Sequence, residues 1–161
     1  MTTTIKLIAM DCNGVLTDGS VYYLESGQQM KRFHVLDDAG FAMLKRYGII
    51  TAIISGEDNP LIAARAEKLG ADHLVMGEFD KLDILRGICK EHGIELTECA
   101  YIGDDVNDLP AMRACGLSFA PPNAHPVVRN SGAYVTTATG GNGCFREVAD
   151  QILEKYVRQN W

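Results

Sequence analysis

Short apolar runs alternate with longer stretches whose apolar residues recur every three to four positions, the pattern of a parallel sheet covered by helices. Strands are predicted at Ile5–Met10, Thr51–Ile54, His73–Val75, Cys99–Ile102, Leu117–Phe119 and Tyr134–Val135. Most are continuous in Ile, Leu, Val and Ala rather than alternating, as expected for strands buried on both faces. Helices are predicted over Asp38–Tyr47, Pro60–Leu69, Lys81–His92, Leu109–Ala114 and Phe145–Val157. The last carries Phe145, Val148, Ala149, Ile152, Leu153, Tyr156 and Val157 on one helical stripe, which reads as a core face. One segment breaks the rhythm. Val21–Leu24, a turn at Glu25-Ser26-Gly27, and Gln28–Val35 predict a β-hairpin. Because a two-stranded hairpin is marginal in water, it should pack against another surface, such as a second subunit.

The 161 residues show no internal repeat, low-complexity tract or linker, so a single domain over 1–161 is expected. With 15 Lys+Arg against 21 Asp+Glu, the net charge of -6 argues against a nucleic-acid partner, which needs a basic face. It does not exclude an anionic substrate, since the charge of a site is local and a divalent cation reverses it. No apolar run approaches the roughly 20 residues of a membrane span. Met1–Lys6 lacks the basic-then-apolar pattern of a secretory signal, so the cytoplasm is the expected location. Cys12, Cys89, Cys99, Cys115 and Cys144 are scattered, without a C-x-x-C or a zinc-type Cys/His cluster, and read as free buried thiols. His34, His73, His92 and His125 show no ligand spacing either, and His125 is expected to open a short helix.

Chemistry concentrates at the strand ends, where open α/β sheets bind their ligands. The first strand runs into Asp11-Cys12-Asn13-Gly14-Val15-Leu16-Thr17-Asp18-Gly19, and the second into Ser55-Gly56. Lys81 stands at a helix start, the wrong end for a cation on macrodipole grounds, and a bound anion would explain it. The fourth strand ends in Gly103-Asp104-Asp105-Val106-Asn107-Asp108, a carboxylate cluster that suits a hard cation such as Mg²⁺. Each feature alone is weak. Together they converge on one sheet edge.

These four motifs resemble, in order and over essentially the whole chain, those of the haloacid dehalogenase superfamily of phosphatases. The hairpin, Gly14–Gly19 and the stretch Gly140–Glu147 are more narrowly similar to its capless sugar-acid phosphatases, which act on 3-deoxy-manno-octulosonate 8-phosphate or 2-keto-3-deoxynononate 9-phosphate. The resemblance implies a Rossmann-like parallel sheet with helices on both faces, a hairpin inserted after the first strand and no cap domain. It also implies a homotetramer in which neighbouring subunits close each site, answering the packing problem of the hairpin. Asp11 would be the nucleophile that forms an aspartyl-phosphate. Mg²⁺ would be held by Asp11, the backbone carbonyl of Asn13 and Asp104, with Asp105 and Asp108 orienting that set. Ser55 and Lys81 would hold the phosphoryl oxygens, in line with the electrostatic demands of phosphoryl transfer.

The family pattern is Asp-x-Asp, and this chain has Asn13 in the second position. That aspartate normally protonates the leaving oxygen and then activates the hydrolytic water, which an amide cannot do. Loss of the acid should cost roughly 10²- to 10⁴-fold in rate. A catalytically silent sugar-phosphate-binding or oligomer-supporting module is therefore the competing expectation. Glu57 and Lys68 resemble a pair found in the nononate enzymes, where octulosonate enzymes commonly carry a basic residue after the glycine. Arg65 with Lys68 would suit a substrate carboxylate. Gly14, Gly56 and Asn107 complete the expected substrate contacts. The Gly140–Gly143 run would either touch an anion through its N–H groups or form a turn, and Arg146 would pair near Glu147 or reach an adjacent site.

Overall fold

A six-stranded sheet with all neighbours parallel is ordered β5-β4-β1-β6-β7-β8. The computed structural model describes residues 4–160, with side chains through Glu154, so Met1–Thr3 and the side chains of Tyr156 and Val157 lie outside the described residues. The strands are β1 (Leu7–Met10), β4 (Ile50–Ser55), β5 (His73–Met76), β6 (Cys99–Ile102), β7 (Leu117–Ala120) and β8 (Tyr134–Val135). A separate antiparallel hairpin pairs β2 (Tyr22–Tyr23) with β3 (Gln29–Met30). Its second strand is much shorter than the predicted Gln28–Val35. Beyond Met30 the chain leaves the ladder, and His34 then caps a helix, its Nδ1 accepting from the Leu36 N–H at 3.3 Å.

That helix, α1 (Val35–Arg46), begins three residues before its predicted start. It is followed by α2 (Pro60–Leu69), α3 (Lys81–His92), α4 (Leu109–Ala114), α5 (Pro126–Arg129) and α6 (Cys144–Asn160). Local chemistry sets their ends. Asn59 caps α2 with proline in its first turn, and Gly70 stops it in the left-handed conformation at φ 65°. His125 opens α5 as expected, its Nδ1 accepting from the Val127 N–H at 3.3 Å.

Alternation along β1 divides the core. Ile8 and Met10 face a cluster with Phe41, Ile62, Phe145 and Val148. Leu7 and Ala9 face Leu85, Ile88 and Met112 on the opposite side. Helices α1 and α6 touch closely, with the rings of Phe41 and Phe145 4.4 Å apart. The chain passes from β1 to β4 and β5 on one side, then crosses to β6 on the other. The switch therefore falls at the carboxyl ends of β1 and β6.

Asp37 in the first turn of α1 carries a cost. Its Oδ1 accepts from the Arg146 N–H at 3.1 Å, whereas its buried Oδ2 has no partner among the described residues. Burial pushes this carboxyl from 3.8 up to about 6, against the pull of the Arg146 N–H. The folded state thus keeps a proton that the unfolded chain releases between those values, so stability falls through that window as pH rises. Asp37→Asn keeps the acceptor and removes the charge. We expect it to stabilise the chain by about 1–2 kcal/mol at pH 7 and hardly at all at pH 4, read from urea melts.

Candidate active site

The loops leaving β1, β4 and β6, with the start of α3, enclose an open cleft. It is lined by Asp11, Asn13, Ser55, Gly56, Glu57, Phe79, Lys81, Asp104, Asp105 and Asn107. The strand-end features singled out in the sequence therefore meet in one place.

Lys81 is the pivot. Its side chain is 1% exposed, and its Nζ lies 2.9 Å from Asp11 Oδ1 and 2.7 Å from Asp108 Oδ1. Burial opposes its charge, but Asp11 and Asp108 outweigh that and hold the ammonium above its ordinary value. The lysine stands at a helix start because buried carboxylates face it there. Asp108 is wholly buried and fully engaged. Its Oδ2 accepts from the N–H groups of Asp104 (3.0 Å) and Asp105 (3.1 Å), while Oδ1 takes Lys81 and the Tyr101 hydroxyl at 2.9 Å. It shapes the loop after β6. Asp105 is exposed, and its Oδ1 accepts from the Val106 N–H at 2.7 Å.

Two glycines let the carboxylates crowd. Gly14 has φ 83°, and a Cβ there would sit 1.9 Å from Asp104 Oδ2. A Cβ on Gly103 would lie 2.4 Å from that of Asp108. Single carboxylate oxygens of Asp11, Asp104 and Asp108 lie within 4.8 Å of one another. Burial, then the charges of Asp11 and Asp108, push the Asp104 carboxyl up to about 8, and burial also raises Asp11 against the pull of Lys81. Three carboxyl groups crowd a single ammonium, and their raised values mark a set of hard oxygen donors short of positive charge. This donor set fits Mg²⁺.

Across the cleft, Ser55 ends β4 and accepts from the Glu57 N–H at 3.1 Å, holding the turn that carries Gly56 and Glu57. Glu57 does not pair with Lys68, which is exposed on α2. It pairs with Lys31 of the hairpin at 2.6 Å and accepts from Asn13 Nδ2 at 2.6 Å and Asn59 Nδ2 at 2.7 Å. Burial would raise Glu57, but these hydrogen bonds, led by Lys31, hold it below the usual carboxylate range. Lys31 also donates to Asn13 Oδ1 at 2.8 Å. Arg65 is buried outside the cleft. It binds the His34 carbonyl at 3.1 Å and the Asp38 carboxylate, and lies 5.2 Å above the Phe33 ring.

The Gly140–Gly143 run is a packing element. Gly140 donates to Asn123 Oδ1 at 2.7 Å and Gly141 to the Val15 carbonyl at 3.0 Å, so neither N–H faces an anion. A Cβ on Gly140 would lie 2.0 Å from the Gly14 carbonyl oxygen, which explains the glycine. Arg146 pairs with Asp150 at 2.8 Å, while Glu147 accepts from the N–H groups of Thr137 and Ala138. Cys12 is buried in the core as expected, and burial above all pushes its thiol up to about 12, so it is an unreactive packing residue.

The haloacid dehalogenase-like hydrolase family matches residues 34–116. A 3-deoxy-D-manno-octulosonate 8-phosphate phosphatase, KdsC, of Haemophilus influenzae is 41% identical over 150 residues, spanning 93% of this chain and 83% of its own length. The chain belongs to the haloacid dehalogenase-like hydrolase family. The Escherichia coli K12 phosphatase of the same name is 38% identical, over 92% of this chain and 79% of its own. A Moraxella catarrhalis phosphatase of this kind, solved with magnesium, phosphate and KDO, superposes with a TM-score of 0.91. It is 42% identical, over 99% of this chain and 95% of its own. The cobalt-bound Haemophilus influenzae structure gives a TM-score of 0.88 at 40% identity, over 94% and 88%. The family expectation for the sheet, the helices and the inserted hairpin is met.

Sequence reasoning missed Lys31, Tyr101 and Phe79. Tyr101 read as a strand residue, yet its hydroxyl supports Asp108 beneath the cleft. Tyr101→Phe leaves that carboxylate one buried donor short. We expect a loss of about 1.5–3 kcal/mol, measured by denaturant unfolding.

Proposed function

We propose that this chain is a Mg²⁺-dependent phosphatase that hydrolyses the phosphate monoester of a 2-keto-3-deoxy sugar acid. The eight-carbon 3-deoxy-D-manno-octulosonate 8-phosphate is the first choice, because the relatives above are named for it. The observation that carries the proposal is Asp11 at the end of β1, 8% exposed, with Lys81 at 2.9 Å and the Asp104 carboxylate beside it.

The Asp11 carboxylate attacks phosphorus, the bond between phosphorus and the sugar oxygen breaks, the departing alkoxide takes its proton from solvent, and water later displaces the phosphoryl group from Asp11 as inorganic phosphate. Lys81 and the Ser55 hydroxyl bind the phosphoryl oxygens. Asp11, Asp104 and the Asn13 carbonyl would hold Mg²⁺, whose positive charge offsets repulsion between the anionic nucleophile and the dianionic ester. Asn13 orients its amide between Lys31 and Glu57 but supplies no proton to the leaving oxygen, so turnover is low.

The same reading extends to assembly. Tyr22, Tyr23, Leu24 and Met30 of the hairpin are 45–69% exposed, an apolar patch suited to burial between subunits of a homotetramer whose neighbours close each cleft. Arg65 then acts by fixing the base of the hairpin, and exposed Lys68 is left to meet a substrate carboxylate across the interface. No helix among the described residues is long and apolar enough to cross a membrane, and the free thiols suit the reducing cytoplasm.

A phosphate-release screen over eight- and nine-carbon sugar-acid phosphates, with and without Mg²⁺, tests the proposal. Mg²⁺-dependent release from the eight-carbon ester supports it, and preference for the nine-carbon ester reassigns the substrate. Absence of release together with sugar-phosphate binding favours the silent module.

A further inference from the structure

The fold brings together two histidines that sequence spacing keeps apart. His73 opens β5 and His92 closes α3, and their Nε2 atoms lie 2.7 Å from each other. The rings stand nearly perpendicular, at 84° with centroids 5.0 Å apart, so each nitrogen is aimed at the other rather than stacked past it. The Glu91 carboxylate joins them, with one ligand atom from each residue within 4.8 Å of the others. His73 is half-buried, whereas Glu91 and His92 are exposed.

This cluster is separate from the catalytic cleft. In the pairing of β4 with β5, Ala52 faces His73 and Ser55 faces Met76, so His73 sits at the amino end and Ser55 at the carboxyl end. Three residues of strand separate the two levels by roughly 10 Å. β5 is also the edge strand, which leaves the cluster open to solvent.

We propose that His73 Nε2, His92 Nε2 and a Glu91 carboxylate oxygen bind one divalent transition-metal ion of the zinc class. Two imidazole nitrogens and a carboxylate form a recurrent zinc ligand set, which leaves a further position for water or another ligand. An ion bound tetrahedrally at about 2.0–2.1 Å from each nitrogen sets them about 3.3 Å apart, with a ring turned so that both lone pairs converge on it and the proton shared by the two nitrogens released. Exposed His92, on the last turn of its helix ahead of left-handed Gly93, can supply that opening by turning its ring. The chemistry is opposite to that of the cleft. Imidazole nitrogen favours Zn²⁺, Ni²⁺ and Cu²⁺, while the carboxylates of Asp11 and Asp104 favour Mg²⁺. Metal here would tie the edge strand to the end of α3 and stabilise the fold by linkage.

The other two histidines provide controls, because the Nδ1 atoms of His34 and His125 accept from helix N–H groups. The test is a Zn²⁺ titration of the full chain in excess Mg²⁺, followed by calorimetry and by imidazole ¹⁵N NMR. We expect one Zn²⁺ per chain at this cluster, with the Nε2 signals of His73 and His92 shifting and those of His34 and His125 unmoved. His92→Gln, at an exposed helix end, should weaken that binding at least tenfold and abolish the Zn²⁺-dependent rise in melting temperature. Unshifted His73 and His92 signals, or Zn²⁺ binding unchanged in His92→Gln, would overturn the proposal.

Discussion

Asn13→Asp is expected to raise turnover of a sugar phosphate at least tenfold, towards the roughly 10²- to 10⁴-fold that a positioned general acid supplies. The sugar alkoxide is a poor leaving group, and the side chain at position 13 is where the family places its proton donor. The surroundings are already suited to one. An aspartate there would take up the amide's place, 2.6 Å from the Glu57 carboxylate and 2.8 Å from Lys31. Two carboxylates so close do not both ionise readily, so the pair favours the retention of a proton that can pass to the leaving oxygen. Lys31, whose side chain is fully buried, keeps the group oriented. The gain should be smaller with p-nitrophenyl phosphate, whose phenolate departs with less help. Equal gains on both substrates, or none on the sugar phosphate, would exclude position 13 as the proton donor of the reaction. Asn13-Gly14 is prone to deamidation, so intact-mass analysis should accompany the kinetics.

Asp11→Asn is expected to lower turnover by at least about 10³-fold and to abolish covalent phosphate capture on the chain. The amide is no nucleophile, and it withdraws one of the carboxylates that make the cleft attractive to a cation. The fold should tolerate the exchange, since Lys81 retains Asp108 at 2.7 Å. Rapid-quench phosphate incorporation, with unfolding followed in parallel, separates lost chemistry from lost structure. Phosphate capture surviving in Asp11→Asn would place the nucleophile elsewhere.

The parts of the molecule legible in the sequence were those governed by local rules. The runs at Cys99–Ile102 and Tyr134–Val135 and the helix Lys81–His92 follow from apolar periodicity and capping, and the structure keeps their bounds. Lys81 was legible for an electrostatic reason, as a cation at the wrong end of a helix, and its carboxylate partners resolve that conflict. The hairpin was legible only in part, because its strand-like stretch runs on to Val35 while only Gln29 and Met30 of that stretch pair, and His34 caps α1. What escaped was long-range pairing between ordinary residues. Nothing local marks Lys31 as the partner of Glu57, 26 residues away, or Arg65 as the partner of Asp38. His73 and His92 escaped for the same reason, since their meeting depends on where an edge strand begins and a later helix ends. The glycines at 140 and 141 read equally well as an anion cradle, and only their closeness to Gly14 and Asp18 decides for packing.

The most direct measurement is the initial rate of phosphate release from 3-deoxy-D-manno-octulosonate 8-phosphate with and without Mg²⁺. It should be made on the chain as it stands, on Asn13→Asp and on Asn13→Asp combined with Asp11→Asn. The expected result is slow, Mg²⁺-dependent release by the first, at least tenfold faster release by the second and none above background by the third. No release by Asn13→Asp in the presence of Mg²⁺, or release that persists without Asp11, would contradict an aspartyl-phosphate phosphatase built on this cleft.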